Sequence, residues 1–170
     1  ELLNNDARGL LHTFISKHPE SSFTPMAGFY LGSIYYRDKS WSKAVKSFDA
    51  MSPQHLSKEQ QAEYYFKKGY AHFMSEEMLQ ARSCFMQVKD GETHWAAPAS
   101  YYYGHISYSE GQYEVALGAF NKLVNDETFG GVVPYYISQI YYLQSKYDEL
   151  IAFVPPMLEN PNVKRQAEMA

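Results

Sequence analysis

Apolar and polar positions along the chain recur with helical spacing, and small and aromatic residues recur at a longer period. Glycine or serine stands at positions 32, 69, 104 and 138, so successive repeat starts lie 37, 35 and 34 residues apart. An alanine follows each of the first three starts by 12 residues and a phenylalanine by 16, as in Ala116 and Phe120. Apolar residues spaced four apart are typical of one helix face. The pattern therefore predicts helix pairs repeated along the chain.

Each repeat is predicted to hold two helices that pack closely. The first carries a small residue among bulky ones, as at Gly32, and the second carries the alanine and the aromatic residue. A glycine inside a helix costs about 1 kcal/mol relative to alanine. Three glycines at one register therefore indicate a packing requirement. No window shows the strict alternation of a strand, so the chain is predicted to be all-α.

The predicted organisation is a single repeat array. A half repeat occupies residues 1–20, full repeats occupy about 24–56, 57–92, 93–128 and 131–160, and a further helix begins within 162–170. Ser57 to Gln60 read as a capping box at a helix start. Pro155 and Pro156 are expected to end a helix near Val154, because an interior proline costs about 3 kcal/mol. With no initial Met, and with a helix starting at its end, the chain is expected to be a fragment of a longer protein.

The combined spacing of Gly, Tyr, Ala and Phe, with Pro19 closing the half repeat, resembles the tetratricopeptide repeat family. The resemblance covers nearly the whole chain. It implies a right-handed superhelical α-solenoid of antiparallel helix pairs, whose first helices line a concave surface that holds another polypeptide.

Four segments carry a closer resemblance, to long tetratricopeptide proteins of Bacteroidetes cell envelopes. These segments are residues 1–7, 14–21, 102–108 and 133–142. That resemblance implies a scaffold in the periplasm or associated with the outer membrane. It implies no activity.

Composition excludes several classes of function. The formal net charge is −4, so the chain has no electrostatic footprint for nucleic acid. No run of apolar residues approaches the 18 that a membrane-spanning helix needs. Cys84 is the one cysteine, which excludes an internal disulfide and any site with several thiolates.

Residues that could carry catalysis or bind a metal are scattered. None of the six histidines belongs to a recognised metal motif. His72 and His105 lie on predicted first helices of adjacent repeats and could face each other, but hydrogen-bonded or groove histidines are the simpler interpretation. Cys84 beside Phe85 is interpreted as a buried structural thiol. With no nucleophile motif, no metal site and no cofactor site, the chain is predicted not to be an enzyme.

Tyrosine is the unusual residue. Fourteen of the 16 tyrosines fall on predicted first helices, all except Tyr113 and Tyr147. Tyrosine is enriched at interfaces because its ring offers contact area and its hydroxyl a hydrogen bond. Carrying the family's concave positions onto this chain gives the implied partner-binding residues: Phe29, Tyr36, Arg37, Phe66, Tyr70, Phe73, Tyr101, His105, Tyr108, Tyr135, Gln139 and Tyr142.

The leading functional hypothesis is a scaffold that binds a partner polypeptide on this aromatic face. Two alternatives stay open. The face is filled by the protein's own repeats or by a second copy, which would make the chain an assembly module and a homo-oligomer. Otherwise the tyrosines stack on a glycan. The rings could also serve packing alone, and the sequence does not identify the partner.

Overall fold

The computed structural model describes residues 2–169, and the side chains of residues 7–169. The described chain is helical and contains no strand. It forms two compact units, Glu1–Val88 and Lys89–Ala170. The first unit holds five α-helices: α1 (Leu2–Lys17), α2 (Thr24–Arg37), α3 (Trp41–Asp49), α4 (Lys58–Met74) and α5 (Met78–Met86). The second holds four: α6 (Ala96–Ser109), α7 (Tyr113–Phe120), α8 (Val133–Leu143) and α9 (Tyr147–Glu159).

Consecutive helices pack as pairs within each unit. The pairs are α2 with α3, α4 with α5, α6 with α7, and α8 with α9. First helices of neighbouring pairs also touch, α2 with α4 in one unit and α6 with α8 in the other. Predicted helix pairing is therefore confirmed, and the fold is that of a tetratricopeptide-like helix array. The exact repeat boundaries stay a prediction.

The glycines on the first helices lie against aromatic rings of the second helices. A Cβ added at Gly32 would stand 2.5 Å from the Phe48 ring, and one added at Gly104 would stand 2.8 Å from the Phe120 ring. Both rings are fully buried. Such distances leave no room for a methyl group, so the glycines permit the close helix approach that buries each ring. The packing requirement predicted from the repeated glycine is confirmed.

Each unit contains a buried hydrophobic cluster. In the first unit, Phe29, Ala44, Phe48, Leu56, Tyr64 and Ala71 form the buried cluster. In the second, the buried cluster is Ala116, Leu117, Phe120, Leu123, Val133, Ile137 and Ile140. The capping box at Ser57 is confirmed, since its hydroxyl accepts from the Gln60 N–H while the Gln60 side chain accepts from the Ser57 N–H.

The prediction that Pro155 and Pro156 end the last helix is wrong. Helix α9 runs on to Glu159 with both prolines inside it. The prolines remove donors for the carbonyls of Ile151 and Ala152, and all four residues are exposed, so water can satisfy those carbonyls. The opposite face holds the helix in place by burying apolar side chains: Val154 packs with Val163, Met169, Tyr135, Leu150, Phe153, Met157 and Leu158.

Residues 162–169 also differ from the expected start of a helix. They form turns and one 3-10 turn, Gln166–Glu168. Arg165 adopts a left-handed backbone with φ 59°, which an α-helix cannot include. The Lys164 N–H instead donates to the Gly131 carbonyl at 2.7 Å. That bond ties the segment to the loop before α8.

The turn inside each helix pair has the same geometry. The residue seven positions after each repeat start is left-handed, namely Lys39, Glu76, Gly111 and Ser145. In the first turn, the Lys39 N–H donates to the Tyr36 carbonyl and the Ser40 N–H to the Tyr35 carbonyl. This is the Schellman arrangement, which favours glycine at the left-handed position. Of these four turns, the third alone has glycine at that position, Gly111.

We therefore expect Lys39→Gly and Ser145→Gly each to raise the free energy of unfolding by about 0.5–1 kcal/mol, because they relieve left-handed strain. Both residues are exposed. The matched control, Gly111→Ala, should lower it by about 1 kcal/mol. Urea denaturation followed by circular dichroism measures all three. A loss of stability in Lys39→Gly would contradict this account of the turns.

Candidate functional site

An aromatic cluster covers the first helices of the first unit. The Tyr36, Trp41 and Tyr70 rings meet edge to face, with all three centroid separations 5.7 Å. Phe73 lies 6.4 Å from Tyr70 along α4. Edge-to-face pairs of this kind each add about 0.5–1.5 kcal/mol beyond area burial. Three of the predicted site residues, Tyr36, Tyr70 and Phe73, are thus brought together.

Two predicted site residues are interior instead. Phe29 is 3% exposed and belongs to the core of the first unit. Phe66 is 6% exposed and its ring lies 5.8 Å from that of Phe85. Rings so enclosed have almost no area left for a partner. The family's concave register gave these positions, but phenylalanine has no polar group to keep it at the surface, so we leave both out of the proposed binding surface.

Lys67, which the sequence did not single out, lies among these rings. Its ammonium stands 5.7 Å from the Tyr36 ring centroid and 5.9 Å from that of Phe29. It donates to the Ser33 hydroxyl at 3.1 Å and forms an ion pair with Glu63, four residues earlier. Cation–π contacts and the ion pair together hold this half-buried charge in place. Lys67 therefore fixes the spacing of α2 and α4.

An open groove lies beside this cluster, and we call it the α1–α2 groove. Its volume is about 740 Å³, and Lys67 of α4 contributes to its lining. The other lining residues are mostly apolar: Ala7, Leu10 and Leu11 on α1, and Tyr30, Ser33, Ile34, Tyr36 and Arg37 on α2. Leu10 is 70% exposed and Tyr30 50% exposed. An exposed apolar groove of this size is a common feature of binding sites.

The hydroxyls of Tyr36 and Tyr101 are neutral donors at physiological pH. Burial, with a smaller contribution from the neighbouring Tyr70, raises the pKa of Tyr36 to about 12. Burial also raises the pKa of Tyr101 to about 12, helped by a hydrogen bond with Tyr136. Both shifts favour the protonated phenol far above pH 7. These groups can bind a partner by hydrogen bonds but do not act as bases.

Tyr136 is the centre of the aromatic cluster in the second unit. Its ring lies 5.4 Å from Tyr108, 5.7 Å from His105 and 6.4 Å from Tyr101, and it stacks on Phe120 at 5.2 Å. The structure thus joins three predicted site residues through one that was not predicted. The family register places Tyr135 on the concave face, so the sequence carried no signal for its neighbour.

His105 is enclosed by these rings. Burial lowers the pKa of its imidazole, so the ring is neutral near pH 7. Its centroid lies 6.3 Å from Tyr101. A neutral histidine among phenols suits hydrogen bonding better than charge recognition. The interpretation of His105 as a groove histidine is compatible with this position.

Helix α8 also carries Tyr135, Gln139 and Tyr142. The Arg165 guanidinium stacks on the Tyr135 ring, 3.8 Å from its centroid, and also pairs with Glu168. Gln139 is half-buried, whereas Tyr142 is 60% exposed. Tyr135 is therefore partly covered by the chain itself, and Tyr142 is the most open of the predicted site residues on α8.

His72 and Cys84, which the sequence also singled out, are buried and half-buried respectively. Among the described residues, no three His, Cys, Asp or Glu side chains converge on a metal position. His72 is buried, and its Nδ1 lies 2.5 Å from a Glu77 carboxylate oxygen. Burial raises the pKa of the Cys84 thiol to about 11, so the reactive thiolate is rare at neutral pH.

Within the described part of the chain, no helix has both the length and the apolar character needed to cross a bilayer.

Arg37 is a charged residue of the predicted site, and its side chain stays accessible to solvent. Its side chain is 57% exposed, and its Nε lies 3.7 Å from Asp38.

Comparison with solved structures gives one informative similarity. The crystal structure of MamA, a tetratricopeptide-like protein, superposes with a TM-score of 0.66, covering 88% of this chain and 85% of that chain. The sequences are 20% identical. This similarity shows the fold. No family model and no curated protein sequence matches the chain.

Proposed function

We propose that this protein is an interaction scaffold that binds a partner polypeptide on the tyrosine-bearing faces of its first helices. The tetratricopeptide-like fold supports the general role, because helix arrays of this type present extended surfaces. The observation that carries the proposal is the open aromatic surface: Tyr30 is 50% exposed and Tyr142 60% exposed, and Tyr30 lines the same groove as Tyr36, whose ring is packed against Tyr70. A fixed ring loses little conformational entropy when it binds.

Each unit contributes its own part of the proposed binding surface. In the first unit it consists of Tyr30, Tyr36, Arg37, Tyr70 and Phe73. In the second it consists of Tyr101, His105, Tyr108, Tyr135, Gln139 and Tyr142. Buried apolar area contributes about 25 cal/mol per Å² to binding, and the phenol hydroxyls and Arg37 select the register of the partner. No catalytic step is part of the proposal.

We further propose that the scaffold works in the cell envelope, in the periplasm or at the outer membrane. The support for this is the resemblance of four segments to Bacteroidetes envelope proteins with tetratricopeptide repeats. A cell-envelope extract is accordingly the source in which to seek the partner.

The test is affinity capture from a detergent-solubilised envelope extract. The test variant carries Tyr30→Ala and Tyr142→Ala, which remove exposed rings from first helices. The control variant carries Phe23→Ala and Leu79→Ala, at sites 71% and 68% exposed and outside the first helices. Circular dichroism verifies that both are folded, as their exposure leads us to expect.

We expect a protein that the parent and the control variant both retain. The test variant should retain at least tenfold less of it. The factor corresponds to about 1.4 kcal/mol, a modest loss for two interface tyrosines. Equal retention by the two variants would place the binding site elsewhere on the protein.

A further inference from the structure

A small pocket lies between helices α1, α2 and α3, and we call it the α1–α3 pocket. Its volume is about 230 Å³. Apolar parts of its lining come from Ile15, Gly28, Leu31 and Met51, and Lys46 is its lysine. None of its lining residues belongs to the proposed binding surface. The helices that form its walls are all described, so the pocket has both of its sides.

The second helix pair spans the equivalent cleft with its own side chains. Leu31 directly precedes the repeat glycine, and the residue at that position in the second pair is Lys68. The Lys68 ammonium pairs with Asp49 at 2.6 Å, although the lysine side chain is only 19% exposed. Asp49 is the equivalent of His12, 37 residues earlier. An ion pair therefore joins the two sides of that cleft.

The third pair spans its cleft in a different way. The residue before its repeat glycine is Tyr103, and the Lys89 ammonium lies 5.0 Å from the centroid of that ring. Lys89 is the equivalent of Ile15. In the first pair these two positions are Leu31 and Ile15, which form neither an ion pair nor a cation–π contact. The α1–α3 pocket is therefore open because short apolar side chains stand where the other pairs carry longer or aromatic ones.

Lys46 gives this apolar pocket a cation. Its side chain is exposed at the pocket, on α3. Asp49 pairs with Lys68 instead, and among the described residues no carboxylate pairs with Lys46. His12 also lines the pocket, but its Nε2 shares a hydrogen bond with the Tyr35 hydroxyl at 2.8 Å. The pocket thus combines an apolar floor with a cation that lacks its anion.

We propose that the α1–α3 pocket binds a small organic acid, whose carboxylate pairs with Lys46 and whose apolar body lies against Ile15, Leu31 and Met51. A cavity of about 150 Å³ accommodates benzene, so this pocket has room for one ring or short alkyl chain with an acidic arm. A helix of a partner protein, about 10 Å across with its side chains, is too wide to enter it. The carboxylate supplies the charge that Asp49 supplies in the second pair.

The probe is phenylacetate, and its control is the uncharged isostere phenylacetamide. Methyl NMR of the whole chain, labelled at isoleucine, leucine and methionine, reports binding at the pocket directly. We expect saturable shifts of the Ile15, Leu31 and Met51 methyl signals, with a dissociation constant on the order of 1 mM for a ligand of this size. Phenylacetamide should bind at least fivefold more weakly. The Leu10 and Ile34 methyls, which line the α1–α2 groove, should not shift.

The matched protein variants are Lys46→Gln and Lys43→Gln. Both lysines are exposed on α3, but Lys43 lies outside the pocket lining, with its ammonium 5.8 Å from the Tyr35 ring centroid. Lys46→Gln should weaken phenylacetate binding at least fivefold, and Lys43→Gln should leave it within twofold. Their exposure leads us to expect that both variants fold.

A third variant, Gly28→Tyr, fills the pocket with the residue that the second pair carries at this position, Tyr65. A Cβ at Gly28 would meet only the flexible Met51 side chain, at 3.3 Å. The variant should abolish binding while far-ultraviolet circular dichroism stays unchanged. If it does not fold, Lys46→Gln still decides the proposal.

Three results would overturn the proposal: no saturable shift at Ile15, Leu31 and Met51, equally tight binding of phenylacetamide, or equal effects of the two lysine variants. Shifts of the same size at Leu10 and Ile34 would mean general partitioning onto apolar surface, and would overturn it as well. The titration uses neither extract nor partner, so its failure leaves the proposed function standing.

Discussion

Gly32→Ala is expected to lower the free energy of unfolding by about 2 kcal/mol, although alanine is the better helix former. The new methyl would stand 2.5 Å from one Phe48 ring atom and within 2.9 Å of two more. Phe48 is fully buried, so the ring has no free space to move into. Overpacking a close-packed core costs about 1–3 kcal/mol, and an approach this close places the cost at the upper end. Subtracting the gain of about 1 kcal/mol in helix propensity leaves a net loss of about 2 kcal/mol.

The control for this prediction is Gly118→Ala. Gly118 also lies inside a helix, α7, but a Cβ there would meet nothing within 4 Å. It should raise stability by about 1 kcal/mol. In a Phe48→Ala background the methyl has room, so the cost of Gly32→Ala should fall by at least about 1 kcal/mol. Urea titration of the parent, the two single variants at Gly32 and Phe48 and the double variant measures this change in cost. If Gly32→Ala costs as much in the Phe48→Ala background as in the parent, the steric explanation is contradicted.

Phe120→Ala is expected to have the largest effect on the second unit, a loss of about 3–5 kcal/mol. Its ring is fully buried, stacks on Tyr136 and lies 6.4 Å from Tyr101. Truncation removes the apolar transfer energy and leaves a cavity beside Tyr136 and beside Tyr101, which belongs to the proposed binding surface. Near-ultraviolet circular dichroism should therefore lose tyrosine signal before the helices melt.

The comparison for Phe120 is Val115→Ala on the same helix. Val115 is 41% exposed, so its truncation should change stability by less than about 0.5 kcal/mol. Comparable losses in the two variants would mean that the aromatic core described here does not stabilise the second unit.

The helix-pair fold could be predicted from the sequence because the same pattern of glycine and phenylalanine recurs in successive repeats. A single mid-helix glycine is ambiguous, but Gly32, Gly69 and Gly104 at one register, each with a phenylalanine 16 residues later, leave close helix pairing as the simple explanation. The local capping chemistry at Ser57 was readable for a similar reason, since both members of the box lie within four residues.

The failures share a different cause. The expectation that proline ends a helix considers only the free-energy cost of proline within that helix. Helix α9 continues through Pro155 because its buried face packs on Val163 and Met169, which lie beyond the helix. The left-handed backbone at Lys39 and Ser145 carries no glycine to reveal it. In both cases the conformation depends on contacts with residues elsewhere in the fold, and these contacts cannot be identified from a single sequence.

The candidate site was only partly predictable. The tyrosine count indicated a face, but which ring of an adjacent pair points outward depends on packing, as Tyr135 and Tyr136 illustrate. Phe29 and Phe66 were assigned outward by register and lie inside. Leu10 and Tyr30 were missed, because the groove that exposes them exists only when α1 and α2 are placed together.

Hydroxyl-radical footprinting of the chain with its captured partner tests the central claim most directly. We predict that Tyr30, Tyr36 and Tyr142 on the first helices become protected, while Phe23 before α2 and Leu79 on α5, both well exposed, keep their oxidation rates. Protection confined to the second helices, with the first-helix tyrosines still oxidised at their free rates, would contradict binding on the tyrosine faces.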